Sequence, residues 1–273
     1  MTLNKIYTVC FSPTATSRKV SDAIARGVAL GAIPISRNNL TRHGAELSLT
    51  DSDLAVFAVP VYGGHVPPIA LERMAQVRGN DTPAVLVVVY GNRAFEHAAV
   101  DLQEFVRKQG FRPVAAAAFI GEHSYSTSLA PIAKERPDRE DLERASSFGR
   151  QVYAKLAADN RSEVDATELH DTPLEENMLR GFVATITASK QAYRGTMLPL
   201  TNPEKCTLCG TCSALCPTEA ITPGDELHTD PERCIHCCAC VKACPEGART
   251  LPNPYGEPLS MFFMRRKEPQ VLL

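Results

Sequence analysis

The sequence has no apolar run long enough to cross a bilayer. Its longest clean ones, Ala84–Tyr90 and Val114–Ile120, fall far short of a spanning helix. It has no excess of either charge: 29 Lys and Arg stand against 31 Asp and Glu, a formal net charge of −2. That balance lacks the basic footprint of a nucleic-acid binder. No basic and apolar leader is present, because Met1 to Asn4 run straight into a strand-like segment. A cytoplasmic address is therefore expected. No Gly-x-Gly-x-x-Gly pattern occurs, so no dedicated NAD(P)H domain is expected. What remains is ordinary for a globular chain: 273 residues, 44% hydrophobic and 22% charged. That length suits one large domain and one small one.

Cysteine is the exception. There are ten, and all but Cys10 fall between Cys206 and Cys244. Clustered cysteines without a leader read as metal ligands rather than as a disulfide framework. They lie in an internal repeat: Lys205 to Pro217 recurs as Arg233 to Pro245, each copy spaced Cys-x2-Cys-x2-Cys-x3-Cys-Pro. Three thiolates within seven residues wrap one cuboid, and the fourth, before proline, ligates the other. One [4Fe–4S] cluster is thus assigned to Cys206, Cys209, Cys212 and Cys244, and a second to Cys234, Cys237, Cys240 and Cys216. Zinc is the alternative, but zinc motifs pair two short ligand groups at a distance and do not duplicate this triple spacing. Cys238 lies between ligands, has no counterpart in the first copy and reads as a bystander. Cys10 reads as buried core.

Residues 1–160 alternate strand-like and helix-like segments. Strands are expected at Ile6–Phe11, Ile33–Ile35, Leu54–Val59, Ala84–Tyr90 and Pro113–Ile120. Helices are expected at Thr16–Ala29, Pro68–Val77, Phe95–Gln109 and from an N-cap at Asp138. The βαβ series predicts an α/β domain with a doubly wound parallel sheet. Residues 161–198 form a connector in which Thr172-Pro173-Leu174-Glu175 has capping-box spacing, predicting a helix from Pro173 to Ala192. Residues 199–252 hold the cysteines, and 253–273 form a tail. In that tail, Phe262 to Lys267 is too short to anchor stably in a membrane and is expected to dock on the chain itself.

After the first strand, Ser12, Thr14, Ala15, Thr16 and Ser17 gather hydroxyls and backbone N–H groups at a helix N-terminus, a geometry suited to a phosphate monoester. The strand ends that follow carry Pro60, Tyr62, Gly63, Gly64 and His65, then Tyr90, Gly91, Asn92 and Arg93, then Gly121 to Ser126 with Tyr125. Open α/β sheets bind ligands at such carboxyl ends. Glycines admit close backbone approach and tyrosines stack on flat rings, although each Gly-rich loop is equally a plain turn.

Taken together, the chain resembles the flavodoxin–ferredoxin fusion proteins of anaerobic bacteria and archaea. The resemblance implies a five-stranded flavodoxin-like sheet of order 2-1-3-4-5, followed by a two-[4Fe–4S] ferredoxin domain. It also implies FMN, with its phosphate on Ser12, Thr14, Thr16 and Ser17 and its ring between the Tyr62–His65 and Tyr90–Arg93 loops. Ala15 departs from the pattern, since such loops usually have glycine there.

The function that follows is electron transfer between FMN and two clusters, to or from a redox partner protein or a small-molecule acceptor or donor. A second reading is a flavin-dependent reductase in which Tyr62, His65, Arg93, His123 and Tyr125 line a substrate pocket and His65 or His123 supplies a proton. A third is a cluster-based sensor or scaffold. The cluster domain is expected to dock at the strand ends, because transfer falls steeply with distance.

Overall fold

Apolar runs without alternation form strands covered on both faces, and here they collect in one sheet. The computed structural model describes residues 2–273. In chain order its first part comprises β1 (Lys5–Cys10), α1 (Thr16–Ala29), β2 (Ile35–Asn39), β3 (Leu47–Leu49), β4 (Asp53–Pro60), α2 (Pro68–Met74), β5 (Val77–Gly79), β6 (Thr82–Tyr90), α3 (Ala98–Lys108), β7 (Phe111–Ile120) and α4 (Arg139–Ala157). Every residue of β4 and β6 is buried. The main sheet runs β2-β1-β4-β6-β7, all parallel. A C-terminal strand, Gln270–Leu272, pairs antiparallel with β7 and makes the sheet six-stranded rather than five-stranded. Because the five parallel strands point one way, the loops that leave them share one edge.

α1 and α4 cross closely on one face of the sheet. Gly27 of α1 and Gly149 of α4 permit it, since a Cβ on either would collide with the backbone of the other helix. α4 begins as its sequence implies. Asp138 accepts from Asp141 N–H at 3.0 Å, and Asp141 accepts from Asp138 N–H at 3.0 Å. A buried Arg136–Asp141 ion pair sits beneath this cap.

Other local expectations shift. α2 stops at Met74, and Val77 opens β5, which pairs with β3 in a small parallel sheet. Both Met74 and Val77 are fully buried, so the apolar spacing there spans a helix end and a strand start. The weak strand expected at Ile33–Ile35 forms later, because Ile35 pairs with Ile6 and the register runs on to Asn39. The capping box expected at Thr172 is absent. The helix begins at Glu176, with Glu175 at the N-cap and no side-chain cap bond. Thr172 instead offers its carbonyl to Lys267 Nζ at 3.1 Å.

The chain forms two compact units, and neither is contiguous. The first runs to Glu122, resumes over Glu135–Thr172 and ends with Lys267–Leu273. The second comprises His123–Lys134 and Pro173–Arg266. Besides the former segment, the second unit holds α5 (Glu176–Ala192), β8 (Leu200–Thr201), α6 (Thr211–Leu215), α7 (Ala239–Lys242), β9 (Arg249–Thr250) and α8 (Gly256–Phe262). Ile132 brings the His123–Lys134 segment into a small core with Phe182, Leu259 and Phe263. Phe263, from the expected tail, is thus core of this unit. The cysteine-bearing part has only a few buried apolar residues, Ile221 among them. So little core leaves bound metal to supply folding energy.

The internal repeat is also conformational. At a spacing of 28 residues, left-handed backbone recurs at Leu208 and His236, at Gly210 and Cys238, and at Glu219 and Gly247. Cys238 therefore has a positional counterpart after all. It occupies the helix N-cap turn that Gly210 makes in the first copy, with φ 61° against 74°. Among the described residues no helix is long and apolar enough to cross a membrane.

Candidate redox sites

The repeat closes around two cavities. One is lined by Cys206, Cys209, Cys212 and Cys244. The other is lined by Cys216, Cys234, Cys237 and Cys240. Each cavity thus takes three thiols from one copy and the pre-proline thiol from the other. Cys238 lines the second as well. The two crossing cysteines are held alike: Ala220 N–H donates to Cys216 Sγ at 3.2 Å and Ala248 N–H to Cys244 Sγ at 3.3 Å. Burial pushes the Cys237 thiol up to about 12. All eight are free thiols. Among the described residues no three His, Cys, Asp or Glu side chains close as tightly as a single ion requires. The donor set, its grouping in fours and the N–H···S bonds fit two iron–sulfur cuboids.

The cavities differ in their remaining walls. The first also meets Glu226 and Arg249, which are 2% and 3% exposed. Arg249 Nη1 donates to Cys212 Sγ at 3.6 Å and to the Glu226 carbonyl at 2.7 Å, and Nη2 donates to Thr229 Oγ1. The Glu226 carboxylate accepts from Gly224 N–H at 3.0 Å and Ser213 Oγ at 3.2 Å. The backbone bond from Gly224 holds its pKa below the usual carboxylate range. Nothing in the sequence motif flagged either residue. Their signal is a charged side chain close to the cysteines in a segment with little core.

In the first unit the Ser12–Ser17 loop leads from β1 into α1. Ser12 Oγ accepts from Arg18 N–H at 3.0 Å, and Ser12 N–H donates to Thr41 Oγ1 at 2.7 Å. Ser17 is fully buried, and its hydroxyl has no partner within the chain. Thr14 and Thr16 are half-buried. The N-cap of α1 is Ala15, with no side-chain cap bond, so the first-turn N–H groups face the loop without intrahelical partners. Those groups and the Ser17 hydroxyl suit a phosphate. Ala15 adopts φ 65°, the conformation glycine would take. A Cβ there costs roughly 1–2 kcal/mol, offset in part by the extra chain entropy glycine loses on folding. Ala15→Gly is therefore expected to raise unfolding stability by about 0.5–1 kcal/mol, measured by denaturant titration. A loss of stability would show that the turn does not strain alanine.

The neighbouring loops are more tightly built than their glycines suggested. Tyr62 and His65 exchange backbone bonds at 2.9 and 3.2 Å around Gly63 and Gly64, whose φ values are 59° and 88°. Two successive positive φ angles favour glycine in such a turn, and a Cβ on Gly64 would also collide with the Glu96 side chain. His65 Nδ1 lies 2.8 Å from Asp101 Oδ2, which also accepts Val66 N–H, and the His65 ring stacks on His97. Tyr90 is only 4% exposed and packs edge-on against Phe95. Burial pushes its hydroxyl well above the ordinary tyrosine range. Gly91 is half-buried and Asn92, like Pro60, is buried. Arg93 pairs with Glu96 at 2.5 Å. Asp171 accepts the N–H groups of Phe95 and Glu96, each at 2.8 Å, and Lys267 Nζ donates to the Arg93 carbonyl at 2.6 Å. Tyr125 belongs to the second unit, where it stacks on Tyr255. Cys10 is buried, and burial pushes its thiol up to about 12, as suits an inert core residue.

These features define a two-unit chain: an α/β unit with a loop-lined strand edge, and a cysteine-rich unit built to hold metal. The family of 4Fe-4S dicluster domains matches residues 198–245, and the second unit carries that domain. None of the curated proteins compared matches the chain. Among solved structures, a flavodoxin from the domain Archaea is 13% identical over 56% of this chain and 99% of its own, with a TM-score of 0.40. Oxidised flavodoxin 1 from Bacillus cereus is 16% identical over 55% and 97%, also at 0.40. The NAD(P)H:quinone oxidoreductase from Methanothermobacter marburgensis is 12% identical over 62% and 100%, at 0.32.

Proposed function

We propose that this chain is a cytoplasmic electron-transfer protein of the flavodoxin–ferredoxin fusion type. Its second unit holds two [4Fe–4S] clusters, and the strand edge of its first unit holds FMN. The observation that carries the reading is the pair of cavities, each walled by three motif cysteines of one copy and the pre-proline cysteine of the other. FMN when bound accepts two electrons or one, and each cluster one, so a chain with all three converts between pair and single-electron traffic. The residues present supply the cradle. Ser17 and the first turn of α1 face the phosphate, and the loops after β4 and β6 flank the ring. The redox partner is a protein or a small molecule that docks transiently.

The first test is composition. Anaerobically purified protein is expected to hold about eight iron, eight acid-labile sulfides and one FMN per chain. Stoichiometric zinc with little iron would remove the cluster reading, and FAD would remove the single-phosphate cradle. The path is tested by rapid mixing. Flavin reduction by prereduced clusters is expected at a rate independent of protein concentration. A rate that rises with concentration would mean transfer between molecules.

A second reading, a reductase acting on a small organic molecule over the flavin, is favoured by one contact. Asp101 holds His65 Nδ1 at 2.8 Å, which leaves Nε2 to deliver a proton. Turnover of an organic acceptor that falls in His65→Gln, with FMN content unchanged, would support it.

A further inference from the structure

The internal repeat makes the two cluster sites each other's control. Residues 28 apart play the same part: Cys216 and Cys244 cross between sites, and Ala220 and Ala248 donate to their sulfurs. The next residue breaks the equivalence. After Ala220 stands Ile221, 1% exposed and lining the second cavity. After Ala248 stands Arg249, 3% exposed and lining the first.

We propose that Arg249 makes the site of Cys206, Cys209, Cys212 and Cys244 the higher-potential of the two, so that a single electron in this unit rests there. The inference depends on the two-cluster reading above. A guanidinium stays charged at all working pH values. Arg249 donates directly to a ligand sulfur, Cys212 Sγ, at 3.6 Å. Reduction adds one negative charge that spreads onto the thiolate sulfurs, and a buried positive donor favours that form with little screening. Its Nε is buried without a partner in the chain, so not all of its donor capacity is spent on the protein.

Glu226 acts in the opposite sense. Its carboxylate lines the same cavity but is turned to Ser213 Oγ and Gly224 N–H, and it contacts Arg249 through its backbone carbonyl. It tempers the effect of Arg249 without donating to sulfur. The residues lining the second site include no charged side chain, and its wall at the position equivalent to Arg249 is isoleucine. The transfer that follows balances simply. One electron leaves the Cys216, Cys234, Cys237 and Cys240 site and arrives at the other, with no bond made and no proton required.

The experiment is a redox titration of the full-length, anaerobically purified protein, followed by electron paramagnetic resonance, with iron counted first. The wild type is expected to titrate in two one-electron waves. Arg249→Gln is expected to lower the upper wave, shifting the electron's distribution between sites at least tenfold, which is about 59 mV for a one-electron couple. The lower wave should move less, because the same charge also acts on Cys234 and Cys240 but donates to neither sulfur. Arg249→Lys, which keeps the charge, should retain most of the separation. Should Arg249→Gln fail to hold iron, Glu226→Gln is read instead and should raise the upper wave. Two coincident wild-type waves, an upper wave that moves in neither variant, or a shift of the lower wave alone would each overturn the proposal. Wild-type iron well below eight atoms would show instead that the two-cluster reading itself is wrong.

Discussion

Cys244→Ser is expected to cost the protein the cluster wrapped by Cys206, Cys209 and Cys212, and to leave the one beside the substituted residue. Iron should fall from about eight atoms per chain to about four. The reason is the crossing. Cys244 follows the second triplet in sequence, yet it lines the first cavity. A cuboid held at three corners keeps one iron exposed, and a serine oxygen is a harder, poorer ligand than thiolate for that iron. Cys216→Ser should give the mirror result, because Cys216 lines the other cavity. Comparing the two variants separates local loss from general unfolding, since each removes one crossing thiol from the same small unit. If Cys244→Ser removed the Cys234, Cys237 and Cys240 cluster, the crossed assignment would be wrong.

The double substitution Thr14→Glu with Thr16→Glu is expected to expel FMN. Each carboxylate would lie beside a phosphate carrying up to two negative charges. At an effective dielectric near 20, one such pair at about 4 Å costs about 4 kcal/mol, so binding should weaken by roughly a thousandfold. The fold should tolerate the change. Acidic side chains near the first turn complement the helix dipole, and both threonines are half-buried rather than core. Flavin retained at wild-type affinity, with circular dichroism unchanged, would place the phosphate elsewhere.

The grouping of the cysteines was the most legible part of the chain, because they lie within short loops where covalent spacing limits what the thiols can reach. Each triplet spans seven residues, and the repeat supplied the second. The main strands were legible too, since β4 and β6 are buried at every residue and so show unbroken apolar runs. At the strand edge, Gly63 and Gly64 have a turn of their own to explain them, and Tyr90 is packed against Phe95.

Local pattern alone, then, sufficed for the cysteine frame, the α/β alternation and the Asp138 cap, because each is a relation among residues close in sequence. Folding decided the rest. Gln270–Leu272 is too short to show a period, and it becomes a strand only because β7 offers it an open edge. Asp171 is far in sequence from the Phe95 and Glu96 N–H groups that it satisfies. His123–Lys134 follows β7 but belongs to the second unit, because Ile132 buries itself with Phe182, Leu259 and Phe263. Arg249 reaches the Cys212 sulfur across 37 residues of chain. Such contacts are selected by burial and by the need to satisfy buried polar groups, and neither is written in the spacing of neighbours along the chain.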